Sequence, residues 1–91
     1  MRKNNPYKAE LIIDSKVVGL LKTIYNERKN EDINNVLGNI VGSATYAKLK
    51  DKHSKFYTKE VTELVYLYKL EEIGNYTEWE NKTNCKYPFD R

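Results

Sequence analysis

Residues 33–50 read Ile33-Asn34-Asn35-Val36-Leu37-Gly38-Asn39-Ile40-Val41-Gly42-Ser43-Ala44-Thr45-Tyr46-Ala47-Lys48-Leu49-Lys50, and the fold turns on whether this stretch is helix or hairpin. Ile33, Val36, Leu37, Ile40, Val41 and Ala44 recur at the three- and four-residue intervals that gather on one helix face. Against a helix stand Gly38, Gly42, three asparagines and several β-branched residues, all weak helix formers. The competing reading is a β-hairpin, with Val36-Leu37 and Ile40-Val41 in its strands and Gly38-Asn39 as its turn. Periodicity outweighs propensity once an apolar face can pack, so helix is favoured. In that case Gly38 and Gly42 are placed to permit close helix–helix approach.

Towards the N-terminus, Val17, Leu20, Leu21, Ile24 and Tyr25 are spaced as one face of an amphipathic helix over residues 16–28. Asp14-Ser15 supplies the capping chemistry for its start. Before it, Tyr7 to Ile13 reads as a short N-terminal strand ending in Leu11-Ile12-Ile13. Residues 1–6 form a basic, flexible lead, and Pro6 holds Asn5 extended. Residues 26–32 are polar and read as a loop.

Towards the C-terminus, Lys48 to Lys59 is polar, basic and partly exposed. Thr58 is the expected cap of a third element, in which Val61, Leu64, Val65, Tyr68 and Ile73 form a stripe that Leu67 and Leu70 widen. Leu64-Val65-Tyr66-Leu67-Tyr68 would also serve as a buried strand, but length and the Glu, Lys and Leu content favour helix. Gly74-Asn75 stops it. Tyr76, Trp79, Tyr87, Pro88 and Phe89 mark residues 75–91 as an aromatic tail that docks on the body. The expected architecture is α+β or mainly α in a single small domain, residues 1–91.

Composition bounds the function. A chain of 91 residues with 40% hydrophobic content can own one core, with little room for a deep active-site cavity. The single Cys85 excludes an internal disulfide and fits a reduced, cytoplasmic protein. The apolar run at Leu11 is too short for a secretory signal, and no stretch reaches the roughly 20 apolar residues of a membrane span. Abundant Lys, Asn, Ile and Tyr suit an AT-rich genome. Short Lys- and Asn-rich chains without catalytic motifs look like accessory proteins of phages and mobile elements.

Charge is uneven. Residues 1–59 hold twelve Lys+Arg against six Asp+Glu, whereas residues 60–91 hold four against seven. The densest basic stretch is Lys48, Lys50, Lys52, Lys55 and Lys59, with Tyr46, Phe56 and Tyr57 interleaved. Ammonium groups there could meet phosphates while rings stack on bases. The bland alternative is a solvated loop that partly neutralises the acidic C-terminal third. Arg, the preferred base reader, appears only as Arg2, Arg28 and Arg91, so any nucleic-acid binding is expected to be sequence-blind and salt-sensitive.

Groups for catalysis are sparse. The single histidine, His53, sits among lysines, where a metal cation is disfavoured and a general acid–base role lacks a fixed partner. The acidic pairs Glu71-Glu72 and Glu78/Glu80 do not form a calcium-loop pattern, and Gly38 and Gly42 do not form a phosphate loop. No cofactor or metal is expected.

Eight tyrosines and one tryptophan favour contact over catalysis. The expectation is a non-enzymatic binding protein, a regulator or inhibitor of the phage-accessory kind that meets a host protein. Its contact set is Tyr66, Tyr68, Tyr76, Trp79, Glu71 and Glu72. Trp79 fits equally the plug of a small core, and Tyr66 and Tyr68, two apart, cannot share a helix face. Split basic and acidic regions also suit a homodimer. The alternative is nucleic-acid binding through Lys48, Lys50, Lys52, Lys55, Tyr57 and Lys59. A minimal metal-free nuclease around His53 is the distant third reading.

Overall fold

Ile13, Leu20 and Ile24, with the half-buried Val17 between them, carry the apolar spacing of the first helix back through the residues expected to be a strand. In the computed structural model, which describes residues 8–89, α1 accordingly runs Lys8–Glu27. The strand reading of residues 8–13 is therefore corrected to helix. The triplet Leu11-Ile12-Ile13 resembles a strand end, but Ile13 is in helical register with Val17 and Leu20, and packing on that register decides. Asp14 and Ser15 lie inside the helix on its wet face and do not cap it. Tyr7 and the flexible lead expected at residues 1–6 lie outside the described residues.

Asp32 accepts the Asn34 N–H at 2.9 Å and starts α2, Ile33–Val41. Val36 and Ile40 bury one side of it, while Ile33 and Val41 stay on its rim. The helix periodicity of residues 33–44 is thus real, but the chain pauses at Gly42-Ser43. The Ser43 hydroxyl closes one helix and opens the next: it donates to the Ile40 carbonyl at 2.6 Å and accepts the Tyr46 N–H at 3.1 Å. Helix α3 follows over Ala44–Lys50. No strand occurs among the described residues, so the hairpin alternative falls.

The polar stretch after α3 is not a plain loop. Two 3₁₀ turns, Lys52–Ser54 and Phe56–Thr58, meet at Lys55, whose φ of 63° is left-handed. They drive Phe56 into the core. Thr58 bonds back to the Lys55 carbonyl and does not cap α4; the cap position is Glu60, which makes no side-chain cap bond. Helix α4 spans Val61–Glu72 and ends at Gly74, whose φ of +76° lets the Asn75 N–H return to the Leu70 carbonyl at 2.9 Å. Asn75 then caps α5, Tyr76–Thr83, so the first half of the expected aromatic tail is helix.

Leu20, Ile24, Val36, Ile40, Leu49, Phe56, Leu64, Leu67 and Trp79 meet in one cluster that draws on all five helices, and Tyr87 closes it from the C-terminal segment. The close approach expected at Gly38 and Gly42 occurs instead at Gly19. A Cβ there would stand 2.8 Å from the Val61 Cγ2, so α1 and α4 touch over a missing side chain. A Cβ on Gly38 would meet nothing within 4 Å among the described residues.

Candidate protein-contact surface

The C-terminal half of α4 aims Glu71 at the first turn of α3. Its Oε2 accepts the Ala44 N–H and the Tyr87 hydroxyl, both at 2.6 Å. Its Oε1 accepts the Thr45 N–H at 2.9 Å and the Thr45 hydroxyl at 2.7 Å. The Ser43 N–H is taken by the Ile40 carbonyl and the Tyr46 N–H by the Ser43 hydroxyl, so every free N–H at the start of α3 is satisfied. A carboxylate from another helix completes that cap, a role that sequence spacing cannot reveal.

Trp79 extends the network inward. Its indole N–H donates to the Thr45 hydroxyl at 3.0 Å, and both side chains are fully buried. Tyr87 stands edge-on to Trp79, with ring centroids 5.1 Å apart at 88°, and stacks obliquely on Tyr76 at 4.3 Å. Its backbone N–H reaches the Glu80 carboxylate at 2.8 Å. Burial, then the Glu71 carboxylate, pushes the Tyr87 hydroxyl pKa well above its ordinary value.

Glu72, one residue on, turns to Arg28 instead. Arg28 clamps it with two bonds of 2.6 Å, one to each oxygen. The Arg28 hydrogen bonds hold the Glu72 pKa below its usual value, and the same pairing raises that of Arg28. Tyr68 lies beneath the pair, and burial followed by the Glu72 charge pushes its hydroxyl up to about 12.

Asn39, Gly42, Ser43, Tyr68, Glu71 and Glu72 line a shallow cleft of about 330 Å³ between the ends of α2 and α4. Its two carboxylates are already occupied by the contacts above. The cleft therefore offers shape and bound dipoles, not free charge.

The expected contact set divides accordingly. Trp79 and Tyr68 belong to the interior, because the core of so small a domain needs their area; as surface anchors they are corrected. Glu71 and Glu72 are committed to internal partners, and Tyr76 packs partly buried against Tyr87. Tyr66 remains, at 44% exposure. Ile73, one heptad further along the same face of α4, is 75% exposed. The stripe expected to include Ile73 therefore stops short of it, because Ile73 lies beyond the last turn of α4. The Lys69–Glu27 ion pair, at 2.7 Å, tethers α4 to α1, with Lys69 placed between Tyr66 and Ile73 in the helix.

The basic stretch divides too. Lys50, Lys52, His53 and Lys55 are exposed, and Lys48 is half-buried. Lys52 pairs with Glu10 at 3.2 Å, while Lys59 pairs with Glu63 at 3.4 Å and lies over the Phe56 ring. Phe56 is buried and Tyr46 and Tyr57 pack against the core, so the interleaved rings are largely turned inward. Among the described residues, no group of His, Cys, Asp and Glu could hold a metal ion, and no helix is long and apolar enough to cross a membrane.

Comparison with protein-family models, with curated proteins and with solved structures finds no match for this chain.

Proposed function

We propose that this chain is a non-enzymatic binding protein, a regulator or inhibitor of the accessory kind that phages and mobile elements encode, acting by contact with another protein. The observation that carries the reading is the Tyr66–Ile73 face of α4. A tyrosine and an isoleucine one heptad apart stay open while the other large residues of that helix are buried. Exposed aromatic and aliphatic side chains on a rigid helix are what a partner buries first.

The test is affinity capture of cross-linked partners by three versions of the protein: wild type, Tyr66→Ala/Ile73→Ala, and Lys50→Glu/Lys55→Glu. A partner held by the wild type and the lysine variant, and lost by the α4 variant, is expected. Capture indifferent to Tyr66 and Ile73, or no capture at all, overturns the reading.

A second reading, nucleic-acid binding, is favoured by Lys50 and Lys55, which are exposed and have no ion pair among the described residues. Lys48 and Lys50 also lie in the last turn of α3, where cations favour the helix dipole, which is a sufficient reason for their presence. A salt titration against labelled single- and double-stranded nucleic acids separates the two: retention near physiological salt, abolished in Lys50→Glu/Lys55→Glu, would promote the second reading.

A further inference from the structure

Helix α1 is the longest element among the described residues, and one of its sides has no neighbour among them. At about 100° per residue, Leu11, Val18 and Tyr25 fall almost in line along it. Leu11 is 64% exposed and Val18 52%, and Tyr25 is half-buried. Ser15 and Lys22 fill the line between them, and Asp14 borders it; all three are exposed. The opposite side carries Ile13, Leu20 and Ile24 into the core, and Gly19 abuts α4, so the free arc is limited to this line.

Val18 sits at the middle of α1. A two-fold axis through it would set a second α1 antiparallel to the first and place Leu11 against Tyr25, Ser15 against Leu21 and Asp14 against Lys22, each pairing occurring twice. Neither Asp14 nor Lys22 has an ion-pair partner among the described residues. A parallel arrangement would instead oppose Asp14 to Asp14 and Lys22 to Lys22. The charge pattern therefore selects one occupant and one direction.

We infer that the Leu11–Val18–Tyr25 face of α1 binds a second copy of this chain as an antiparallel, two-fold helix pair. Such an isologous contact satisfies each residue with another from the same surface. One helix pair buries less area than a standard interface, which places the association among the weak, transient contacts. It is separate from the α4 face and needs no other protein, so either assignment can fail alone.

The experiment is sedimentation equilibrium over a range from about 5 µM to about 1 mM, which spans dissociation constants from the micromolar to the millimolar scale. The full chain should pass from monomer to dimer across it. Val18→Lys, which opposes two ammonium groups at the axis, should leave monomer only, with its helical circular dichroism unchanged because Val18 is outside the core. Asp14→Lys and Lys22→Asp should each weaken the dimer roughly tenfold, since two favourable surface pairs become two unfavourable ones, and the double exchange should restore it. In a Cys85→Ser background, Val18→Cys should oxidise to a covalent dimer, and Leu11→Cys alone should not. A monomer at every concentration, a dimer indifferent to Val18→Lys, or no rescue by the double exchange overturns the inference.

Discussion

Replacing Glu71 with glutamine tests whether one carboxylate holds α3 to α4 and α5. The amide keeps the shape but exchanges one acceptor oxygen for an NH₂ donor, so two of the four donors at that site lose their acceptor. The cheaper orientation keeps the amide oxygen on Thr45 and lets the NH₂ donate to the Tyr87 oxygen, whose hydroxyl hydrogen can rotate away. The Ala44 N–H is then left unpaired. A hydrogen bond to a charged group contributes about 1.5–3 kcal/mol, and an unpaired buried donor costs about 1–3 kcal/mol. Partial exposure and the new amide bond offset some of this, leaving a net loss of about 2–3 kcal/mol. For a domain of this size that lowers Tm by about 8–20 °C. Urea unfolding followed by far-ultraviolet circular dichroism and Trp79 fluorescence measures it, and the slope m should not change, because the folded surface is the same. Glu60→Gln is the control: that side chain makes no cap bond, and the loss should stay within about 0.5 kcal/mol. If Glu71→Gln costs no more than Glu60→Gln, the carboxylate is not what secures α3 and the reasoning fails.

Tyr87→Phe should cost about 1 kcal/mol, and combined with Glu71→Gln less than the two separately, because both act on one bond; a double-mutant cycle reads the difference. Gly38→Ala should stabilise by about 0.5–1 kcal/mol, since helix propensity improves and the new methyl meets open space, whereas Gly19→Ala should destabilise by about 1 kcal/mol because its methyl meets the stiff Val61 side chain; chemical denaturation compares them. Tyr68 and Tyr87 have raised pKa values when folded, so their contribution to stability is complete below the ordinary tyrosine value of 10 and fades as pH climbs through the folded values, about 12 for Tyr68; absorbance of tyrosinate near 295 nm should show a late-ionising component that Tyr68→Phe and Tyr87→Phe each reduce, with the unfolding midpoint falling above pH 10. Glu72 has a lowered pKa, so its contribution is present above about 4.5 and disappears as pH falls through the depressed value; Arg28→Met should flatten that acid limb in a pH series of urea midpoints.

The sequence made the helical side of this fold readable wherever a buried face repeats. Residues 16–28, 33–44 and 61–73 show the spacing, and each became helix within a few residues. The apolar run Leu11-Ile12-Ile13 by itself imitates a strand end, whereas the phase of Ile13 with Val17 and Leu20 marks it as helix. The pause at Gly42-Ser43 was marked by a glycine and a capping serine but hidden by an uninterrupted period across it. Trp79 and Tyr68 show the limit for function. Aromatic residues signal contact, but their pattern does not say whether the contact is with the protein's own core. Glu71 was visible only as one of two adjacent acids, and its partners lie 16 to 27 residues away in the chain. Only the folded path of α4 and α5 brings them together.

That long-range cap has a consequence for synthesis on the ribosome. Helix α3 is seven residues long, too short to persist in water unaided. Its first turn waits for a carboxylate made 26 residues later, and for an indole and a phenol made later still. As the chain emerges, α1 can form early, but the cap of α3 is complete only once Tyr87 has been added and has cleared the exit tunnel. Translation that halts between Ala44 and Tyr87 leaves a nascent chain whose α3 lacks part of its cap and whose core lacks its last aromatic contacts. The finishing contacts of the fold are therefore late ones, made by the C-terminal segment.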